Sequence, residues 1–167
     1  MIQALLERCP GRELSVSATT RPPRPGERDG REYHFLDPDE FDERVAGGEF
    51  VEHAVYAGPR YGTLRSELER PARGLVLEID LQGARQVRQS LPGATQGFIA
   101  PPSLEDLRRR LEGRGSDSEE QIARRLEVAP TELAAKQEFS RVVVNDDLDR
   151  ALTELVRLAA RMCGPDD

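Results

Sequence analysis

Tryptophan is absent from this 167-residue chain, and cysteine and lysine are scarce. The two cysteines, Cys9 and Cys163, lie too far apart in sequence to make a disulfide framework or a metal-ligand spacing. Neither neighbours an evident activating base, so both read as incidental. Lys136 is the only lysine, against 24 lysines and arginines together, so chemistry that needs a lysine elsewhere is excluded. No apolar run approaches the roughly 18 residues of a membrane span. The start, Met1 to Arg8, carries no signal-peptide pattern. These absences point to a soluble, cytoplasmic protein with no membrane partner. A net charge of −7 argues against a general nucleic-acid binder, which needs a basic surface for phosphates. Hydrophobic residues make up 37% of the chain, enough for a core, so global disorder is excluded. The length fits one compact domain with small inserted subdomains.

What is present falls into two styles. Ile2–Arg8 predicts a helix stopped by Pro10-Gly11. Leu14–Ala18 predicts a strand, followed by the Pro-rich loop Thr19–Gly26, then a second strand over Arg31–Leu36. Asp37-Pro38-Asp39-Glu40 is a helix start, with Asp as N-cap, Pro at N1 and Glu at N3. That helix should end near Gly47-Gly48, and Glu49–Tyr56 predicts a further strand. From Gly74 onward strands and helices alternate: strands near Leu75–Ile79, Thr95–Ala100 and Arg141–Val144; helices over Leu81–Ser90, Ser103–Glu112, Gln121–Leu126 and Asp147–Met162. Apolar strands joined by helices imply a parallel sheet covered on both faces, an α/β architecture. The glycines flanking the charged segment 113–120 suggest a mobile flap.

Chemistry concentrates in the first half. Arg21 and Arg24, three apart on a Pro-braced loop, can offer two guanidinium forks to one anion. Taken alone, such a pair is more often a solvated basic loop. Tyr33 and Tyr61 sit in turn-rich contexts and can donate to a phosphate oxygen, or can simply pack as half-buried strand residues. Glu52 could accept two hydrogen bonds from a guanine edge, and Ser17 or Thr63 could address its O6; alone, Glu52 reads as an exposed strand charge. Glu78 and Asp80 fall at the carboxyl end of a core strand, where ligand crevices open in parallel sheets. Asp80 could equally cap the following helix. His34 and His53 read as structural.

Together these segments resemble the guanylate kinase family over nearly the whole chain. The matching stretches run in order: Leu14–Glu27; Asp29-Gly30 through Tyr33-His34-Phe35; Gly48–Glu52; Tyr61-Gly62-Thr63; Leu77–Ala84; Pro101-Pro102-Ser103; Leu111–Gly115; and Val143–Leu148. The resemblance implies a P-loop NTPase-like parallel sheet core flanked by helices (1–14, 74–112 and 131–167), a mixed β-rich GMP-binding insertion (15–73) and a helical lid (113–130). It implies transfer of the ATP γ-phosphoryl group to GMP, giving ADP and GDP, with Mg²⁺ accompanying ATP, in purine nucleotide metabolism. Arg21, Arg24, Tyr33 and Tyr61 match the clamp on the GMP phosphate. Ser17, Glu52 and Thr63 match the guanine readers. Glu78 and Asp80 match the acidic pair near nucleotide and metal, with no direct metal ligand and Asp80 acting through water. Arg110, Arg114 and Arg125 match the arginines that close, with Arg24, over the transferring phosphates, and Asn145 a position near the adenine. Either a monomer or a homodimer is compatible.

One family signature is absent. No Gly-x-x-x-x-Gly-Lys-Ser/Thr loop occurs, and Lys136 lies far downstream in a helical segment. Met1–Arg8 resembles the helix that follows that loop, so a strand of about 5–6 residues and the loop, roughly 15 residues in all, are expected ahead of it. Two expectations compete. In one, the start is internal or misassigned and the natural protein is an intact kinase; in the other, the loop is lost and the chain is a non-catalytic binding module. The retained set of arginines, tyrosines and acids favours the first. The chain as written is then expected to bind GMP, with very weak or no kinase activity.

Overall fold

The computed structural model describes residues 1–115 and 118–160, which form two compact units. One comprises residues 11–94; the other joins residues 1–10 to those from 95 onward.

In the first unit, β1 (Arg12–Leu14) pairs in parallel with β6 (Gly74–Val76). A four-stranded sheet follows, built from β2 (Ala18–Thr19), β3 (His34–Phe35), β4 (Phe50–Val55) and β5 (Arg60–Leu64), in the order β3-β2-β5-β4. Helix α2 (Pro38–Ala46) covers one face, its Phe41 joining Ala18, Phe50 and Leu64 in a small apolar core. The expected start holds: Pro38 opens the helix and the Asp37 side chain accepts from the Glu40 N–H. Gly48, at φ +69°, supplies the left-handed turn that leads out of α2. Helix α3 (Leu81–Ser90), capped by Asp80, completes the unit.

The strand expected over Leu14–Ala18 is two strands, because the chain changes partners within it. The Ser15 N–H bonds to the Val76 carbonyl, the Val16 N–H to the Glu67 carboxylate, and the Ser17 carbonyl accepts from His34. The strand expected over Arg31–Leu36 shrinks to His34–Phe35, since the N–H groups of Arg31 and Glu32 turn back onto the Arg28 carbonyl. Strand β5, read from sequence only as turn-rich, pairs with both β2 and β4. A buried knot joins the two sheets of this unit. Glu67, on the 3-10 turn Arg65–Glu69, accepts from the Val16 N–H at 2.7 Å and from Arg70 at 2.9 Å, and Arg70 also donates to the Leu14 carbonyl and pairs with Glu13.

The second unit contains α1 (Ile2–Arg8), β7 (Phe98–Ala100), α4 (Leu104–Arg114), α5 (Glu119–Ala134), β8 (Val142–Val144) and α6 (Leu148–Ala160). Strands β7 and β8 pair in parallel. The core joins Leu5 and Cys9 at α1 and Val143 on β8 to Ala151, Leu152, Leu155 and Ala159, which share one face of α6. Ser103 caps α4 through the Asp106 N–H. The helix expected over Gln121–Leu126 is longer: a Ser118/Gln121 capping box starts it, and it runs through Pro130. Residues 116 and 117 of the expected flap, the end of the last expected helix, and Cys163 lie outside the described residues.

The α/β class with parallel strands and flanking helices is as expected, although the parallel pairings are spread over three separate sheets: β1–β6 and β2–β3 in the first unit and β7–β8 in the second. The units also divide the chain differently from the three-part scheme of core, insertion and lid. The Glu67 knot and the docking of α3 on β4 hold β1, β6 and α3 with the four-stranded sheet.

Candidate functional site

The four-stranded sheet has two unlike faces. Ala18 pairs with Gly62, and Phe50 with Leu64; this face is the apolar one beneath α2. Gly62 has no room for a side chain, as a Cβ there would stand 2.7 Å from the Phe50 ring. Tyr61 and Thr63, one residue either side, therefore point to the other face.

Strict alternation along β4 would put Glu52 on the same face as Phe50. The ladder prevents this. Phe50 opposes Leu64 but Glu52 opposes Thr63, so β4 spends two residues where β5 spends one. This irregularity re-aims Glu52 onto the face of Thr63. There its carboxylate accepts from the Thr63 hydroxyl at 2.7 Å. Glu52 is 4% exposed and Thr63 fully buried, which disposes of the exposed-strand-charge reading. Burial pushes the Glu52 carboxyl above its ordinary 4.5; the Thr63 hydrogen bond opposes this, and the nearby Asp80 charge adds to it.

The arginine loop is equally built. Arg21 is 7% exposed. Its guanidinium donates to the Pro22 carbonyl at 2.6 Å and to Glu27 at 2.8 Å, and lies 5.3 Å from the Tyr33 ring and 5.8 Å from that of Phe35. Burial alone would lower its pKa, but the Glu27 carboxylate and the Tyr61 phenol outweigh that and raise it. Glu27 reaches back to the Arg24 N–H with its other oxygen, at 2.6 Å, and its own N–H bonds to the Arg24 carbonyl. Gly26, at φ +89°, makes this tight return possible. Tyr33 and Tyr61 meet edge to face, 6.0 Å apart. Burial, then the Tyr61 charge, holds the Tyr33 phenol above 10, so it remains a neutral donor. Arg24 and Ser17 are half-buried beside this group in sequence.

Asp80 does serve as the cap of α3, accepting from the Gly83 N–H at 2.8 Å, and Gln82 donates to its second oxygen. Glu78 is exposed; its charge adds to the upward push on Tyr33. Ser17, Arg21, Arg24, Tyr33, Glu52, Tyr61, Thr63, Glu78 and Asp80 thus all belong to the unit of residues 11–94. Arg110, Arg125 and Asn145 belong to the other unit, where Arg110 donates to the Asn145 carbonyl at 2.8 Å and Arg125 is half-buried on α5. Arg114 ends α4, its side chain being outside the described residues. Among the described residues no group of three His, Cys, Asp or Glu could hold a metal ion.

A buried carboxylate–hydroxyl pair and a braced, aromatic-backed guanidinium on one unit form an arrangement suited to a planar base bearing a phosphate. A family model described as Guanylate kinase matches residues 1–161. The chain belongs to the guanylate kinase family. The guanylate kinase of Frankia casuarinae is 56% identical over 161 residues, covering 95% of this chain and 88% of the relative. That of Synechococcus elongatus is 50% identical over 158 residues, covering 93% and 86%. In three dimensions the chain resembles the crystal structure of guanylate kinase from Anaplasma phagocytophilum, with a TM-score of 0.77, 32% identity, and coverage of 98% of this chain and 80% of that one.

Glu27 is one residue of this cluster that sequence reasoning passed over. It closes the matching stretch Leu14–Glu27, and its spacing from Arg21 and Arg24 on a Gly-terminated loop was the available signal. Thr19 is a second case. Fully buried, it donates to the Arg60 carbonyl and accepts from the Arg21 N–H, fixing where the arginine loop leaves the sheet.

Proposed function

We propose that this chain works on GMP as a nucleoside monophosphate kinase, accepting the γ-phosphoryl group of ATP to give GDP and ADP. The buried Glu52–Thr63 pair carries this reading. A carboxylate withdrawn from water beside a hydroxyl is costly unless a ligand supplies donors, and the guanine N1–H and 2-amino groups are such donors. Ser17 and the Thr63 hydroxyl address the base beside it. Arg21, Arg24, Tyr33 and Tyr61 clamp the phosphate, with Glu27 holding both arginines of the loop in register. In this scheme residues 15–73 form the GMP-binding part, 113–130 the lid, and the remainder the core.

The chemistry asks little covalent work of the protein. Phosphoryl transfer is catalysed by placing acceptor and donor in line and by spreading positive charge over the equatorial oxygens. Arg24, Arg110, Arg114 and Arg125 supply that charge, and Asn145 lies toward the adenine. The family's reaction generally uses Mg²⁺, which favours one or two carboxylates plus substrate phosphates and waters. Asp80 fits such a role through water, since one oxygen caps α3 and the other accepts only the longer, 3.3 Å bond from Gln82; the ion would neutralise phosphate charge.

A coupled assay with ATP and Mg²⁺, on this chain and on a version carrying a Gly-x-x-x-x-Gly-Lys-Ser/Thr loop ahead of Met1, tests the reading; the loop-bearing version is the one expected to turn over. GMP should exceed AMP and UMP in kcat/KM by about 100-fold or more, the discrimination expected where polar readers would be left unpaired. Equal use of AMP would overturn the roles of Ser17, Glu52 and Thr63. A second reading is a non-catalytic binding module built on the same residues. Binding of GMP with no turnover of any nucleotide, in a version that also carries a Gly-x-x-x-x-Gly-Lys-Ser/Thr loop, would select it.

A further inference from the structure

Helix α3 does more than cover the sheet. Its residues Gln82 and Gln86, one turn apart, face the outer edge of β4. Gln82 donates to the Val55 carbonyl at 3.0 Å. The Gln86 amide donates to the His53 carbonyl at 2.6 Å and accepts from the His53 N–H at 3.1 Å. The match is geometric: four residues of helix rise about 6 Å and two residues of strand about 6.8 Å. A row of side-chain amides thus takes the place of a further strand and satisfies the edge of β4.

This docking brings the first turn of α3 against Glu52. A Cβ built on Gly83 would overlap the Glu52 Oε2 outright and stand 3.0 Å from its Cδ and 3.3 Å from the Ile79 Cβ. Gly83 is buried, and its backbone is not in the left-handed region, so no conformational need calls for glycine here. In a helix, alanine would otherwise be preferred by about 1 kcal/mol.

We propose that Gly83 is a specificity-determining position: its bare α-carbon is the seat of the Glu52 carboxylate, and Gln86 is a positioning residue that holds strand and helix at that distance. The inference rests on Glu52 reading the guanine edge and extends that reading to the residues that aim it. A side chain at 83 displaces the carboxylate from the base while leaving the phosphate clamp intact.

The test uses the full chain and two nucleotides that differ only in the exocyclic 2-amino group, GMP and IMP, titrated by calorimetry. Glu52→Gln calibrates the reading, and should collapse the preference for GMP over IMP. Gly83→Ala should lower that preference at least tenfold, with IMP, which keeps the N1–H donor, weakened less than GMP, and Gln86→Ala should lower it by a smaller factor. If Glu52→Gln leaves the preference intact, the guanine reading itself fails. If Glu52→Gln abolishes it but Gly83→Ala keeps it and merely melts higher, as a plain helix position would, the inference alone is overturned. Should Gly83→Ala not fold, Gln86→Ala decides: an unchanged preference refutes the seat, a reduced one supports it.

Discussion

The two compact units bury different things. In the unit of residues 11–94 the buried set includes Ser15, Thr19, Arg21, Glu52, Thr63 and Glu67, and these are all the buried polar or charged residues among those described. In the unit of residues 1–10 and 95 onward the buried residues are Leu, Val, Ala and Cys, while Ile99, Val142 and Val144 stay partly exposed on its strands. Withdrawing a carboxylate or a guanidinium from water costs stability unless hydrogen-bonded partners offset it. On the function proposed above, Arg21, Glu52 and Thr63 are withdrawn for recognition, whereas Glu67 ties the sheets of the unit together. The other unit is packed from helices, and its described arginine side chains lie on or near its surface.

That contrast can be broken by mutation. The largest effect should come from Arg21→Met, which strands Glu27 and unbraces the loop. A loss of about 3 kcal/mol in urea unfolding is expected, as for a buried pair deprived of one partner, together with loss of GMP binding. Next is Glu67→Leu, which leaves the Val16 N–H without its acceptor and should cost about 1–3 kcal/mol. Burial would raise the Glu67 pKa, but the Val16 N–H, Arg70 and His34 outweigh it and hold the group below 4.5. Its contribution is therefore present above 4.5 and lost as the pH falls through the lower folded-state value, so the wild type and Glu67→Leu should converge in stability in acid.

Glu52 carries the opposite sign. Its folded pKa lies above 4.5, so the folded state is penalised as pH rises through that raised value. Glu52→Gln should melt higher than wild type at pH 7, with the gap closing below 4.5. GMP affinity, which needs the carboxylate as acceptor, should weaken as pH is lowered through the same raised value, and a Glu52→Gln titration separates this from protonation of the nucleotide. The smallest effect is expected in the other unit. Arg150→Ala removes an exposed pair with Asp146 on α6 and should leave the melting temperature unchanged.

Much of the site was legible from sequence because it depends on short, local devices. The Asp37-Pro38 helix start, the Ser103 cap, the Arg-x-x-Arg loop and the Asp80 turn each act within a few residues. What escaped was non-local. Strand β5 is short and contains Gly62, whose lack of a side chain reads as a turn until Phe50 is seen filling the space. The register shift in β4 is set by pairing with β5, so nothing in Phe50-Val51-Glu52 alone says that Glu52 turns to the opposite face. The extent of α5 was missed because Pro130 argues for a stop, whereas the capping box at Ser118 and packing against α4 carry the helix past it.

The central claim is that residues 11–94 hold a ready-made pocket for one purine monophosphate. Calorimetric titration of the chain with GMP and with AMP, without ATP, addresses it most directly. The account predicts GMP binding at least about 100-fold tighter than AMP, with the difference lost in Glu52→Gln. Equal affinity for the two nucleotides, or no uptake of either by the folded chain, would contradict it.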